Sequence, residues 1–199
     1  MVSDPGSLPD EGYEALLGAD GAQLDELADL ADSLRRQSAG NVLTYVVNRN
    51  LDTDAVAGTD PASRERLVAL VTEARELGAT EICMQGLLPP GDDDYLDLIG
   101  IVKAAAPEIH LHAFRPPELL DGAARREMTL EKFLIAARQA GLGSVPGTAA
   151  RILDDGVRAR MRGGPDLPVS QWAAVIEAAH RAGLPSTATM VFGHVETPA

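Results

Sequence analysis

A run of β-branched and aromatic residues, Val42–Val47, breaks off into three polar residues, Asn48, Arg49 and Asn50, and a helix start follows at Asp60-Pro61. This layout constrains the fold more than any single motif. The apolar run reads as a buried strand. A strand that feeds a helix, repeated along a chain, belongs to a parallel sheet, where chemistry collects at the C-terminal strand ends.

The layout recurs. Asp60 is an expected N-cap with Pro61 at the first helical position; Leu67, Leu70, Val71, Ala74 and Leu77 form one face, and Gly78 closes the helix. A second strand is expected over Ala79–Met84, leaving through Gln85 and Gly86, with a helix over Asp92–Ala106 behind it. Ile109–Phe114 is the third strand, and its alternation puts His110 and His112 on one face. Its exit is Arg115–Glu118, followed by a short helix near Leu119–Arg126 and an amphipathic one over Thr129–Ala140 that ends at Gly141. A fourth strand, Gly143–Pro146, leaves through Gly147 and Thr148. Helices over Ala149–Arg160 and Ser170–Ala182 lead to a fifth strand, Ser186–Phe192, that exits into Gly193 and His194.

Ahead of this pattern, residues 1–19 are rich in Pro, Gly and Asp and are expected to be loose. Leu24, Leu27, Ala28, Ala31 and Leu34 then follow helical spacing from about Asp20 to Arg36. Residues 20–199 therefore read as one α/β domain with parallel strands, an open barrel or a doubly wound sheet. Convergence of the polar exits at one end favours the barrel.

Composition excludes several classes of function. The net charge of −13 leaves no basic stripe for a phosphate backbone, so no nucleic-acid partner is expected. Cys83 is the only cysteine, so no disulfide framework forms within the chain, and one thiolate holds neither an iron–sulfur cluster nor a cysteine-type zinc site. Cys83 reads as a small core residue, and Trp172 as core by its spacing with Val175, Ile176 and Ala179. Asp92, Asp93 and Asp94 suit the dipole of a helix start better than a metal. No metal site is expected. No apolar run of membrane length exists and the acidic N-terminus is unlike a signal peptide, so a cytoplasmic location is expected.

Five ordered blocks carry a family resemblance: TYVVNRN, GATEICMQG, IHLHAF, GLGSVPGTAARILDD and TATMVFGHVETP. From about Leu24 to Pro198 they resemble the tyrosine-using half of FO synthase, a radical SAM protein. The resemblance implies a partial, truncated TIM-like (β/α) barrel with about five parallel strands and an N-terminal helix. It also implies chemistry. A [4Fe-4S] cluster cleaves S-adenosylmethionine, the radical fragments tyrosine, and the hydroxybenzyl piece is joined to 5-amino-6-(D-ribitylamino)uracil in deazaflavin biosynthesis.

By the same resemblance, Gln85 and Gly86 stand at the S-adenosylmethionine-binding turn. Asn48, Arg49, Asn50, His112, Glu118, Ser144, Gly147, Thr148 and His194 fall on the substrate-facing blocks. Four departures stand out: Leu87 for a usual glycine, Arg115 for a small residue, Arg151 for a carboxylate, and Phe192 for a tyrosine. The largest departure follows Asn50. The family continues there through C-x3-C-x2-C, whose thiolates hold the cluster; here Leu51–Thr59 is nine residues without cysteine. The cluster is therefore not expected on this chain. Three readings follow: an enzyme that takes its cluster from elsewhere, such as a partner chain; a pseudoenzyme kept as a binding module; or a degenerate fragment. The open barrel edge predicts a homodimer or association with a full-length synthase.

Overall fold

The computed structural model describes residues 8–91, 94–147, 152–161 and 167–198. The chain forms two compact units, one from residues up to Tyr45 together with Gly193 onward, the other Val46–Phe192.

The first unit holds α1 (Asp10–Leu17) and α2 (Gly21–Ala39), neither of which buries a residue. Within the segment expected to be loose, Asp10–Leu17 is helical, and residues 1–7 lie outside the described residues. On α2, Leu24 and Leu34 are exposed, while Asp32 binds both Arg35 and Arg36 through their Nε atoms at 2.8 and 2.7 Å.

The second unit is built on a parallel sheet of β1 (Asn48–Asp52), β2 (Glu81–Gln85) and β3 (His110–Ala113), in the order β1-β2-β3. Asn48 lies opposite Glu81, Asn50 opposite Cys83, and Cys83 opposite His112. Two isolated parallel bridges continue the series, His112 with Ser144 and Val145 with Ser186. The expected fourth and fifth strands are thus single pairings, and the described residues show a three-stranded sheet in place of five strands. They fit a partial β/α fold without displaying a closed barrel.

The first strand is also displaced. Val42–Val47 is not a buried strand; Leu43 and Tyr45 are more than 80% exposed, and the ladder begins only at Val47, whose carbonyl accepts from the backbone N–H groups of Thr80 and Glu81. Asn48, Arg49 and Asn50 are consequently within β1 and not at its exit. The packing explains the shift. Leu51 and Val56 join the apolar core and Thr53 is fully buried, so the chain after Asn50 is drawn into the sheet. It turns at once into the four-residue α3 (Thr53–Val56). At the other end, Gly78 and Ala79 are still closing the preceding helix, which leaves β2 no residues to pair with the apolar run ahead of Val47.

That preceding helix is α4 (Pro61–Glu76), capped as expected: the Asp60 carboxylate accepts from the Ser63 N–H at 3.1 Å, with Pro61 in the first turn. Helix α5 (Tyr95–Ala105) is capped by Asp94, which accepts from the Leu96 N–H at 2.6 Å; Asp92 and Asp93 lie outside the described residues. Four further helices follow: α6 (Pro116–Arg125), α7 (Leu130–Ala140), α8 (Asp155–Arg160) and α9 (Val169–Arg181). Leu67, Val71, Ile99, Val102, Phe133, Leu134 and Val175 from these helices meet Ile82, Met84, Leu111 and Val145 from the sheet in one core. Trp172 is only half-buried, and its indole N–H has no partner among the described residues. No helix among the described residues is long and apolar enough to cross a membrane.

Candidate functional site

Period-two alternation sorts the sheet into two faces. Leu51, Ile82, Met84, Leu111, Ala113 and Val145 pack into the helix-covered core. The opposite face carries Asn48, Asn50 and Asp52 from β1, Glu81, Cys83 and Gln85 from β2, His110 and His112 from β3, and Ser144 beyond. The same alternation removes Arg49 from this group. It lies on the helix side, where its guanidinium reaches Glu73 of α4 at 3.5 Å.

The polar face is internally connected. Asn48 donates to the Asn50 side chain at 3.3 Å, and the Gln85 amide lies 3.3 Å from the Cys83 sulfur. Ser144 Oγ is 2.7 Å from His110 Nε2 and 2.7 Å from His112 Nδ1. Burial holds the His112 ring below the ordinary histidine range, with the neighbouring Glu81 charge opposing and the His110 charge adding to that shift. Burial likewise pushes the Cys83 thiol up, so it is a buried, protonated neighbour.

At the C-terminal rim a buried carboxylate ties two strand exits together. Glu118 accepts from the Gly86 N–H at 3.0 Å, from the Arg115 N–H at 2.5 Å and from Arg115 Nε at 2.7 Å. Glu118 is fully buried, so its role here is to hold the Gly86 turn and cap α6. Arg115 neutralises that buried charge. Leu87, beside the turn, is half-exposed. Phe114 is buried with φ at +66°, a strained conformation for a non-glycine residue. It is held by its N–H bond to the Met84 carbonyl and an edge-on contact with Tyr95 at 4.9 Å. Tyr95 accepts from the Leu88 N–H and donates to Asp121, and burial raises its phenol well above the usual range. Arg125 binds Asp121 and the Leu88 and Pro89 carbonyls, which fixes the loop after Gly86.

Gly147 marks a close crossing. A Cβ there would stand 1.8 Å from the Thr187 carbonyl oxygen, and the Gly147 N–H donates to Thr187 Oγ1 at 3.1 Å. Thr148 and Arg151 lie outside the described residues. His194 lies in the first unit, where Glu196 accepts its N–H and that of Val195. Phe192 is exposed.

Of the residues singled out in the sequence, the fold brings Asn48, Asn50, Gln85, His112 and Ser144 to one face and Gly86, Glu118 and Gly147 to its rim. His110 and Asp52 join them without having been chosen. The signal for His110 was the alternation in His110-Leu111-His112, and for Asp52 the burial of Leu51 beside it.

The residues do not fit an iron–sulfur cluster. Between Asp52 and Thr59 the available donors are the oxygens of Asp52 and Asp54, which suit hard cations. The segment's other side chains include Thr53 and Val56, both packed inward. Cys83 sits within β2. Among the described residues no group of three or more His, Cys, Asp or Glu side chains is placed to hold a metal ion.

Fold and site together define an α/β protein with a helix-backed parallel sheet and a polar face ending in a braced strand-exit rim. No family model matches the chain. Its sequence is homologous to a stretch of proteins named FO synthase. The one from Nocardia farcinica is 43% identical over 98% of this chain, and the one from Mycobacterium leprae 41% over 98%. A 5-amino-6-(D-ribitylamino)uracil--L-tyrosine 4-hydroxyphenyl transferase from Methanothermobacter thermautotrophicus is 42% identical over 92% of this chain. The chain spans 24% and 25% of the two synthases and 54% of the archaeal protein. The Nocardia match extends over 213 aligned positions against the 199 residues of this chain, so at least 14 positions of the relative lie opposite gaps here.

Proposed function

We propose that this chain is a cluster-free, ligand-binding derivative of the tyrosine-using FO synthase barrel. It keeps the small-molecule face and has lost the radical chemistry. The observation that carries this reading is that the segment Leu51–Thr59, where the resemblance implies three cluster ligands, has no cysteine. In this reading the gaps against the relatives fall there. The burial of Leu51, Thr53 and Val56 supports a shortened connection that has been absorbed into the fold. The ligands in this reading are a ribityl diaminouracil or tyrosine. Asn48, Asn50, Gln85, His112 and Ser144 offer the hydrogen-bond donors and acceptors that a polar heterocycle or amino acid requires.

Thermal unfolding of the purified chain tests the reading. Ligand at about 100 times its dissociation constant stabilises a fold by roughly 2.7 kcal/mol. A transition raised by the ribityl diaminouracil or by tyrosine, but not by S-adenosylmethionine, is the expected result. A rise with S-adenosylmethionine as well would restore a catalytic reading with a cluster supplied by another chain. No rise with any of the three would remove the binding reading.

Association is a second reading, with another copy or with a full-length synthase. It draws on exposed Val42–Val47 and Met190–Phe192, and on β1, which pairs only with β2 among the described residues. Light scattering of the chain alone and mixed with a synthase distinguishes the two partners.

A further inference from the structure

We propose that His110, Ser144 and His112 form a proton relay on the open face of the sheet, with His112 Nε2 as the atom that gives or takes the proton. The hydroxyl of Ser144 is the link to exposed His110 and so to solvent.

The geometry leaves few arrangements. Ser144 Oγ is 2.7 Å from one nitrogen of each ring. A hydroxyl has one proton to donate, so one of those nitrogens must itself be N–H when both rings are neutral. In one arrangement His110 Nε2–H donates to Oγ, Ser144 donates to His112 Nδ1, and His112 carries its proton on Nε2. In the other every bond points the opposite way. The two differ only in the direction of a linked set of protons, which is the condition for a relay.

The sequence builds this site from β3 alternation and one strand crossing. His112 pairs with Ser144 across the sheet, and His110 follows on the same face. Gly143 admits the His110 ring: a Cβ there would stand 2.4 Å from Cε1 and 2.6 Å from Nδ1. Ser144 is buried, His112 half-buried and His110 exposed, so the relay passes through a buried hydroxyl to a ring that meets water. His112 Nε2 has no hydrogen-bond partner among the described residues and remains available to a ligand. The titratable groups facing these rings are Glu81 opposite His110 and Cys83 opposite His112, both from β2. Burial favours neutral His112, which the relay requires.

The transfer balances. A ligand takes the proton from His112 Nε2, whose N–H bond breaks and leaves its electron pair on nitrogen. The Ser144 proton moves to His112 Nδ1, the His110 Nε2 proton moves to Ser144 Oγ, and water supplies a proton to His110 Nδ1. The ligand has gained one proton, the solvent has lost one, and no side chain has changed its net charge. The face thus suits a ligand whose nitrogen or oxygen changes protonation while bound. The inference depends on the binding reading above only for that use, because its test needs no ligand.

The test is long-range proton–nitrogen NMR on histidine-labelled chain between pH 5 and 9. In the wild type the two rings should hold complementary tautomers relative to Ser144. Ser144→Ala should abolish the fixed tautomer of His112, and Ser144→Thr, which keeps the hydroxyl, should restore it. His110→Asn, at an exposed position, provides the arm that does not depend on a buried substitution; it too should free the His112 tautomer. A His112 tautomer and titration unchanged by His110→Asn, or by Ser144→Ala in folded protein, would overturn the relay.

Discussion

The two faces of the sheet are made from the same three strands and answer to different demands. On the helix side, Leu51, Ile82, Met84 and Leu111 are packed as a core and carry stability. On the other side, alternate residues of those strands are polar and bond along the strand, Asn48 to Asn50 and Gln85 to Cys83, or beyond β3, His112 to Ser144. Parallel sheets usually bury both faces under apolar side chains. A polar second face therefore marks a surface kept for something other than packing.

Substitutions sharpen this contrast. Met84→Ala on the covered face should cost about 2–5 kcal/mol in urea unfolding, while Asn50→Ala, on the same sheet but facing outward, should stay within about 0.5 kcal/mol. Equal losses would mean that the polar face is covered too. Glu118→Gln removes an acceptor from the clamp on Gly86 and Arg115, and should cost about 2 kcal/mol. A change near zero would show that the rim does not need its brace. Gly147→Ala forces a methyl group against the Thr187 carbonyl and should cost about 1–3 kcal/mol. Hydrogen exchange should then quicken at Thr187, whose N–H bonds the Val145 carbonyl, before it quickens in β1 and β2.

The smallest effect is that of pH. Because burial depresses the folded-state value of His112, the unfolded chain binds more protons at this residue as pH falls through the ordinary histidine value of about 6.5. Stability should therefore decline on acidification through that range, and His112→Asn should show a smaller decline over the same range. An equal decline in both proteins would assign the effect to other groups.

Much of the helix-covered side was legible in the sequence. Asp60-Pro61, the run Leu67–Ala74 and the Thr129–Gly141 helix carry their caps and periodicity locally, and each forms within a few residues of its expected place. The first strand was not legible. Val42–Val47 has the better strand composition, yet Asn48–Asp52 takes the position, because burying Leu51 and Val56 decides where the ladder begins. Local propensity holds no record of that competition. The site shows the same division. His112 and Ser144 could be picked out one at a time, but their joining through a shared hydroxyl with His110 depends on how the Ser144 segment registers against β3. Glu118 was read as a ligand contact, and the fold places its carboxylate on backbone N–H groups that no sequence pattern announces.

Among the described residues the ladder tapers: five residue pairs join β1 to β2, four join β2 to β3, and one joins each crossing beyond. The best-paired strands also precede the loosely paired ones along the chain. As the chain leaves the ribosome, β1 and β2 can close with α4 between them before the loosely paired end exists. The late segments then add to a surface already formed, and nascent chain arrested far enough beyond Gln85 for β2 to have left the ribosome should already resist protease at Ile82 and Met84.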